Sequence, residues 1–599
     1  MSKSVLKYIL FVFAFSAFIF EANAQRDTSL TKEVEVSKAY QPSVSDAYKI
    51  NDIPAIKEEE HQKPVFDYNI YSQPIFSAFS VNPLQAARIA DKKKEEIGFG
   101  LLKMGAGNYG KPYVDFFFNN NDAKKSIFGL RYKHLSSHGK VKLKGANKVD
   151  APFSENYAEM FLKRYYSKYA LKFNVSFKRD AFKYYGYPED PIPSFIIEDT
   201  FNPSYWNSKQ AFNKGAVSLS LVNTSKSKYD PTLGFDLNYH YFGTKTGQRE
   251  HYAKAVAHVS KPVNNMTVTM DAGAVFVRDE NIFNRTTNIE GIRQQLMLFA
   301  KPAFFVKNDW ANFKAGLNAY ALIDNDEELV VKATPNVLLN LIPMEGIFNV
   351  FAGIDGDFDI NSYSKIAYEN PYVDPKHDVK NSFHQFRFFG GFDGKFSSKT
   401  NFKISADYSI IKNQHFYYLE ESFNPISSVT PTPTFVENDF SVLNDDLNML
   451  KFNVEVYHTA TDNLNLLFTA NYYTYELETQ LEAWNMPQFD AKVSLAFKVT
   501  DQLEITTDLF VIGKRTGLVI ETNQFNSPLP IDLATLSNAF YKTYTMDTAI
   551  DMNVGATYHF THNLAAFAQL NNFGFQNYER WLGYPVQGFN FLAGVSYSF

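Results

Sequence analysis

The last eleven residues of the chain, Phe589–Phe599, restrict its fold more than any other stretch. Their odd-numbered positions are all apolar or aromatic, whereas their even-numbered positions are mostly small or polar. A period of two predicts a β-strand with one apolar face and one polar face. The length also suits a tilted strand that crosses a bilayer, which needs about 9–11 residues.

The same alternation recurs from about Ile97 onward, between segments that have the composition of turns. Clear examples begin at Met266, Phe402, Phe489 and Thr548, and each continues for about ten residues, as membrane strands do. The strands of a soluble β-sandwich also alternate but are usually shorter. The repetition of long alternating runs therefore favours a transmembrane β-barrel.

The connections between these strands alternate between short and long, which is typical of outer-membrane barrels with short periplasmic turns and long outer loops. The longer connections are predicted at Leu135–Glu155, Lys183–Gln210, Arg278–Gly291, Ile360–Ser382, Gln414–Asn444, Glu476–Pro487, Lys514–Tyr544 and Phe573–Gly588. The first strand then begins in the periplasm and the last strand ends there, so the strand number is even. The prediction is an all-β protein, a large transmembrane antiparallel β-barrel of about 22 strands. Phe589–Phe599 pairs with a first strand near Gly98–Ala106 and closes the barrel.

Residues 1–24 have the organisation of a secretory signal peptide. Lys3 and Lys7 precede an apolar run, and Ala22-Asn23-Ala24 is a small-x-small cleavage site, so cleavage is predicted between Ala24 and Gln25. Residues 25–96 are charged, rich in proline and poor in apolar residues. They are predicted to form a short irregular segment, either periplasmic or inserted in the lumen as a reduced plug. Residues 97–599 form the barrel.

Composition excludes several other classes of protein. Cysteine is absent, which excludes disulfides and thiolate metal sites, and a net charge of −5 gives no support for nucleic-acid binding. After the start of the chain there is no apolar stretch long enough for a membrane helix. Aromatic residues make up 16% of the chain, as lipid-facing rings and interfacial girdles would require. We expect outer membrane lipid as a partner.

Several segments resemble outer-membrane barrels of the TonB-dependent-receptor-like group from Bacteroidota. The segments that carry this resemblance are Lys38–Pro42, Asp46–Asn51, Gly105–Tyr109 and Tyr132–Ser137. The segments Ala483–Pro487, Asn571–Asn572, Tyr578–Trp581 and Tyr584–Pro585, with Gly588, resemble the C-terminal part of a TonB-dependent receptor barrel in general. The terminal strand resembles the last strand of such barrels, whose closing aromatic residue, here Phe599 with Tyr597 before it, is read by the assembly machinery. The resemblance implies a location in the outer membrane and uptake of a nutrient.

One departure from this group concerns the plug domain that fills the lumen of a TonB-dependent receptor. Only residues 25–96 are left here for it, so the plug is reduced, or another chain fills the lumen, or the barrel is narrower. Glu33, Val34, Glu35 and Val36 resemble the TonB box, an extended stretch that pairs with an edge strand of TonB. Any short alternation of Val and Glu matches this pattern.

Three functions remain open from the sequence: a receptor-like transporter, a passive porin-like channel, and a structural or accessory subunit that docks a periplasmic partner or a surface lipoprotein. Aromatic residues in one long loop form the candidate ligand surface, with the alternative that they form a membrane belt or pack the loop on itself. These residues are Tyr184, Tyr185, Tyr187, Phe195, Phe201, Tyr205 and Trp206.

We predict no enzymatic activity, cofactor or metal site. His134 and His138 lie beside Ser136 and Ser137, but the spacing does not place a nucleophile, a base and a carboxylate together. The acidic stretch 324–328 lacks the glycine and the spacing of a calcium loop, so a solvated turn is the simpler interpretation. Lumen-facing charges of both signs are expected, which gives no ion preference.

Overall fold

The computed structural model describes ten ranges of the chain: 98–120, 126–144, 148–186, 209–224, 230–284, 289–324, 329–374, 379–423, 434–521 and 541–599. The predicted signal peptide and the segment 25–96 therefore lie outside the described residues.

The strands in chain order are β1 (Gly100–Gly107), β2 (Lys111–Asn119), β3 (Ser126–Ser137), β4 (Lys140–Lys142), β5 (Lys148–Asp150), β6 (Phe153–Tyr165), β7 (Tyr169–Lys183), β8 (Lys209–Asn223), β9 (Thr232–Thr244), β10 (Arg249–Val263), β11 (Met266–Asn284), β12 (Ile289–Lys307), β13 (Ala311–Asp324), β14 (Val330–Met344), β15 (Phe348–Asp359), β16 (Ser382–Ser397), β17 (Thr400–Phe423), β18 (Thr434–Thr461), β19 (Leu464–Leu477), β20 (Phe489–Lys498), β21 (Leu503–Ile512), β22 (Arg515–Glu521), β23 (Tyr541–Met546), β24 (Ala549–His559), β25 (Leu564–Asn571), β26 (Glu579–Trp581), β27 (Tyr584–Pro585) and β28 (Asn590–Ser598). One helix, α1 (Tyr363–Glu369), lies between β15 and β16.

The main sheet of the described chain contains 24 strands. Two of them, β22 and β23, form a hairpin whose first strand pairs in parallel with the end of β17. The other 22 strands form an antiparallel ring, which is closed by the pairing of β28 with β1 from Leu101↔Ser598 to Gly107↔Leu592. The predicted barrel, its strand number and its closing pair are confirmed.

The two faces of the strands differ as the alternation predicts. In β28, Phe591, Val595 and Tyr597 are 42%, 52% and 49% exposed, whereas Asn590 and Leu592 are buried. Apolar side chains therefore point outward, as they must if the surrounding medium is lipid, and the polar ones point into the lumen. No helix among the described residues is long and apolar enough to cross a membrane.

Ten short turns join strands at one end, here called the short-turn end, and the longer connections lie at the other, the long-loop end. Two predicted loop boundaries were wrong. β11 continues to Asn284 and β12 begins at Ile289, inside the predicted loop Arg278–Gly291. Similarly, β17 and β18 extend to Phe423 and from Thr434, inside Gln414–Asn444. Strands that continue beyond a membrane lose the contrast between apolar and polar faces, so the period of two no longer reveals them.

Candidate functional site

The lumen wall carries charges of both signs, as predicted. Arg131 Nη2 lies 3.3 Å from Asp115 Oδ2, and Lys492 Nζ lies 3.1 Å from Asp508 Oδ1. Eight charged residues occupy inward register positions: Lys403, Asp407, Lys451, Glu455, Asp490, Lys492, Lys498 and Asp551. Opposite charges on neighbouring strands offset each other, so this wall favours neither cations nor anions.

Helix α1 is held against the barrel wall by the carboxylate of Glu250 at the long-loop end of β10. The Ser364 backbone N–H donates to Glu250 Oε2 (2.7 Å), and the Ser364 hydroxyl donates to Oε1 (2.6 Å). His240 Nε2 lies 3.0 Å from the same Oε1. Ser362 caps the helix, since its side chain accepts from the Lys365 N–H. The buried carboxylate thus has a donor for each oxygen, which is what a buried charge requires.

Tyr368 of α1 adds a second attachment to the same wall. Its ring lies under two ammonium groups, at 4.5 Å from Lys178 Nζ and 5.4 Å from Lys214 Nζ. It also packs edge-on against the ring of Phe242, with a centroid distance of 5.7 Å. Cation–π contacts of this length are favourable when they are shielded from water. The helix is therefore fixed over β7–β9 rather than extended away from the barrel.

Five aromatic rings form a continuous chain of contacts that we call the aromatic bridge: Phe212, Phe182, Tyr372, Tyr584 and Phe440. The successive centroid distances are 5.1, 5.6, 3.6 and 6.0 Å. The two middle rings, Tyr372 and Tyr584, are stacked with an interplanar angle of 18°. Three of these distances lie within the usual range of about 4.5–7 Å for interacting rings, and the fourth is shorter. The bridge is therefore packed throughout.

The aromatic bridge connects strands from opposite sides of the ring. Its ends lie on β8 and β18, which are the sixth and sixteenth strands of the 22-strand ring. Ten places separate them, and eleven would be directly opposite. Tyr372 belongs to the β15–β16 connection and Tyr584 to the β25–β28 connection. Two loops therefore fold inward and meet between opposite walls at the long-loop end.

Hydrogen bonds reinforce the bridge. The Tyr185 hydroxyl donates to the Pro585 carbonyl (2.9 Å), and the Tyr372 hydroxyl donates to the Tyr185 hydroxyl (3.4 Å). The Tyr584 hydroxyl donates to the backbone carbonyl of Asn438. Burial raises the pKa of both Tyr185 and Tyr584 well above the ordinary value, so these phenols stay neutral. A second group of loop residues, around the buried Trp484, packs β22 against β17 and β18.

The hairpin of β22 and β23 is tied to the same assembly by Arg515. Its guanidinium donates to the backbone carbonyls of Glu579 and Arg580, in the β25–β28 connection. Burial lowers the pKa of Arg515 to about 10, so the group remains charged at neutral pH. Four connections thus contribute to one packed cap at the long-loop end: β7–β8, β15–β16, β21–β24 and β25–β28.

Two of the residues predicted for a ligand surface belong to this cap. Tyr184 is fully buried, and Tyr185 is partly buried against Tyr372 and Tyr584. Among the described residues, the ring contacts of Tyr185 are thus with two other connections and not within its own loop. Tyr187 and Trp206 lie outside the described residues, as do the other members of that loop set, the TonB-box-like residues Glu33, Val34, Glu35 and Val36, and the cleavage residues Ala24 and Gln25.

The remaining predicted residues have clear positions. Tyr597 and Phe599 stand exposed on the outer face of the closing strand, with stacked rings 6.2 Å apart. His134 lies in β3 rather than in a loop, and it contacts Asn156 and Ser136 on neighbouring positions. In the described ranges no group of three metal-binding side chains occurs.

Sequence reasoning did not assign several of the residues that build the cap to a site. Glu250, Ser364, Tyr372 and Tyr584 lie at strand ends or in connections, where no periodic pattern exists to mark them. A weak signal was present, because the β15–β16 and β25–β28 connections are unusually rich in tyrosine and tryptophan for solvated loops. That signal indicates burial but does not identify the partner.

Comparisons with known proteins identify the fold. No family model matches the chain, and no curated protein matches it. Among solved structures, the pyoverdine outer membrane receptor FpvA from Pseudomonas aeruginosa PAO1 superimposes with a TM-score of 0.59 at 11% identity, covering 85% of this chain and 79% of that one. The siderophore receptor PirA from Acinetobacter baumannii superimposes with a TM-score of 0.61 at 10% identity, covering 85% of this chain and 81% of that one. The FrpB iron transporter from Neisseria meningitidis superimposes with a TM-score of 0.60 at 10% identity, covering 84% of this chain and 83% of that one. The shared feature is the large barrel.

Proposed function

We propose that this protein is a TonB-dependent-receptor-like barrel that takes up a nutrient across the outer membrane. The observation that carries the proposal is the aromatic bridge. A 22-strand barrel encloses a lumen wide enough for an aqueous channel unless something fills it. Because the bridge joins opposite walls at the long-loop end, entry requires the loops to rearrange. A barrel that opens only on rearrangement suits selective uptake better than diffusion.

The solved structures support the class of cargo. The solved structures that this chain resembles are those of a receptor bound to pyoverdine, a siderophore receptor and an iron transporter. We infer a small metal chelate or a comparable scarce nutrient as the cargo. In this proposal its first contacts are made by the connection between β7 and β8, which includes Tyr187 and Trp206. The chain performs no catalysis in this proposal.

Energy for rearrangement comes, in this proposal, from TonB through Glu33–Val36. Residues 25–96 form the reduced plug, and cleavage after Ala24 precedes insertion into the outer membrane, with Tyr597 and Phe599 as the assembly signal. The passive channel is the weaker candidate because the stacked rings of Tyr372 and Tyr584 bind two long connections to each other. An accessory role, with a surface lipoprotein as partner, is a distinct outcome of the experiment below.

The test measures uptake of a labelled ferric siderophore by cells that carry the wild-type barrel or lack it, with and without an uncoupler. We expect uptake that depends on both the barrel and the proton-motive force. A second measurement is the conductance of the purified protein in planar bilayers. Steady conductance of the wild type without energy contradicts the proposal and favours a porin. Normal uptake after deletion, with a partner co-purifying at fixed stoichiometry, contradicts it and favours an accessory role.

A further inference from the structure

The outer face of strands β7–β11 changes from apolar to basic near the long-loop end. On β7, Phe177 is followed on the same face by Arg179; on β11, Phe276 is followed by Arg278. On β10 the outward positions beyond Ala253 are His251 and Arg249. We call Arg179, Arg249, His251 and Arg278 the basic rim. It begins where the lipid-facing apolar band of these strands ends.

The register of the sheet brings the basic rim together. His251 is paired with Arg278 across β10 and β11. Arg179 pairs with Asn213, and its Nη1 donates to Asn213 Oδ1 (2.6 Å). Asn213 pairs with Gly243, which pairs with Arg249. Adjacent strands are about 4.8 Å apart, so the rim spans roughly 20 Å. Among the described residues of this face, Glu280 is bonded to Arg278, and the formal charge of the three arginines and Glu280 with neutral histidine is 3 − 1 = +2.

Two tyrosines indicate the depth of the basic rim. Tyr239 and Tyr241, on the outer face of β9, are 40% and 36% exposed. His251 contacts both: its Nδ1 lies 2.8 Å from the Tyr239 hydroxyl, and its ring centroid lies 5.2 Å from that of Tyr241. Exposed tyrosines on a barrel face collect at the level of the lipid headgroups. The arginines of the rim are therefore at or just beyond that level.

A hollow lies directly beside the rim, on its membrane side. Gly215 of β8 faces outward between Phe177 and Tyr241, its register partners on the two neighbouring strands. A Cβ built at this glycine meets no other atom within 4 Å. The hollow thus has aromatic side walls and opens toward the position of Arg179 and Asn213. Its shape and surface suit an acyl chain.

The opposite side of the barrel has the reverse charge. On β17–β19 the outward residues at the long-loop end are Lys412, Asp446 and Glu476, with Glu478 next to them. Their formal charge is 1 − 3 = −2, and Lys412 Nζ already contacts Asp446 at 2.5 Å. An anionic headgroup is therefore attracted to the β7–β11 side rather than to the β17–β19 side.

We propose that the basic rim binds phosphorylated lipid of the surrounding leaflet, with headgroup phosphates on Arg179, Arg249 and Arg278 and an acyl chain at Gly215. Guanidinium groups bind phosphate with paired hydrogen bonds, and basic residues near an anionic membrane surface strengthen its attraction. The site lies outside the lumen, so it is separate from nutrient uptake and fixes the barrel in one lipid environment.

The test uses the full-length protein in phosphatidylethanolamine vesicles with or without diphosphorylated lipid A. After extraction in detergent, native mass spectrometry counts the lipid A that stays bound. Arg179→Gln, Arg249→Gln and Arg278→Gln are combined in one variant. The matched control combines Arg164→Gln, Lys261→Gln and Lys412→Gln, three outward cations away from the rim. We expect the rim variant to lose at least about tenfold of the bound lipid A and the control to keep it.

Further arms separate the alternatives. Heat-modifiability on gels confirms that each variant is folded, and Gly215→Phe, which fills the hollow without changing charge, is expected to lower retention several-fold. Equal retention by rim variant and control overturns the proposal. So does equal retention of dephosphorylated lipid A, or full displacement of the lipid by inorganic phosphate, which indicates an unspecific anion site. A co-purifying protein at the rim that replaces the lipid also overturns it.

Discussion

At the scale of residues, buried carboxylates hold the cap in place. Glu250 bonds to Ser364 at one end of α1, and Glu369, at the other end, has Oε2 at 2.9 Å from His415 Nε2. Partial burial acts to raise the pKa of Glu369, but the neighbouring His415 outweighs it and the pKa lies below the ordinary value of 4.5. The ionised form of Glu369 is therefore the one that stabilises the cap.

The sign of this shift predicts the pH dependence of the cap. A lowered pKa contributes stability that is complete above the ordinary value of 4.5 and is lost as the pH falls through the folded value. We expect wild-type conductance in planar bilayers to rise as the pH falls below 4.5. The Glu369→Gln variant is expected to show a smaller rise. The exposed Glu476→Gln serves as control and should behave as wild type; a pH-independent wild type would contradict the role of Glu369.

At the scale of elements, α1 and its flanking residues anchor the cap. They attach the β15–β16 connection to the barrel wall and place Tyr372 in the aromatic bridge. Only seven residues are helical, so the helix owes its stability to its contacts rather than to its length. The strands beneath it tolerate this arrangement because Glu250 is placed at the end of β10, within reach of the helix N-terminus.

The Glu250→Ala variant tests this attachment. It removes the acceptor of the Ser364 N–H and one of the partners of the Ser364 hydroxyl, so we expect the free energy of unfolding of the cap to fall by about 1–3 kcal/mol. The β15–β16 connection should then be cleaved by added protease at an intact barrel, as gel fragments would show. Lys365→Ala removes an exposed ion pair with Asp359 and a hydrogen bond to Asn361 Oδ1 but leaves Glu250 in place, so the connection should stay resistant. Equal resistance of Glu250→Ala would contradict the attachment.

At the scale of the whole molecule, closure depends on the seam between β1 and β28. Gly105 and Gly594 are register partners there, and a Cβ at Gly594 would lie 2.0 Å from the Met104 carbonyl oxygen. At the end of the seam, the Gly100 N–H donates to the Phe599 carbonyl (2.9 Å), and the Phe599 N–H donates to the Gly100 carbonyl (3.0 Å). The first and last strands therefore meet with little space for a larger side chain.

Gly594→Val is expected to prevent closure, because a branched side chain cannot fit against backbone atoms that must stay paired. The folded fraction on heat-modifiability gels should fall at least about tenfold, which corresponds to more than 1.4 kcal/mol. Gly215→Ala, a strand glycine with open space around it, should fold as wild type. A normal folded fraction for Gly594→Val would show that the seam can adjust.

Phe599→Asp addresses insertion rather than closure. We expect its level in the outer membrane to fall several-fold, with the remainder degraded in the periplasm, because the terminal aromatic residue is lost while the backbone pairing of the seam is kept. Quantitative blotting of membrane fractions measures this. Phe560→Asp alters another exposed aromatic at the short-turn end and should have a smaller effect. Equal levels of Phe599→Asp and wild type would remove the basis of the assembly signal.

Much of the molecule follows from its sequence. The alternation in Phe589–Phe599 and its repeats determined the strands, because a strand that separates lipid from a polar lumen must alternate. The lengths of the turns determined the even number and the pairing of β28 with β1. Only the tertiary structure decided that the loops fold inward. The aromatic bridge joins Phe182, Tyr372 and Tyr584, which are far apart in the chain and belong to no periodic pattern. Their contacts depend on which loops meet across the ring, and no local sequence pattern predicts which loops these are.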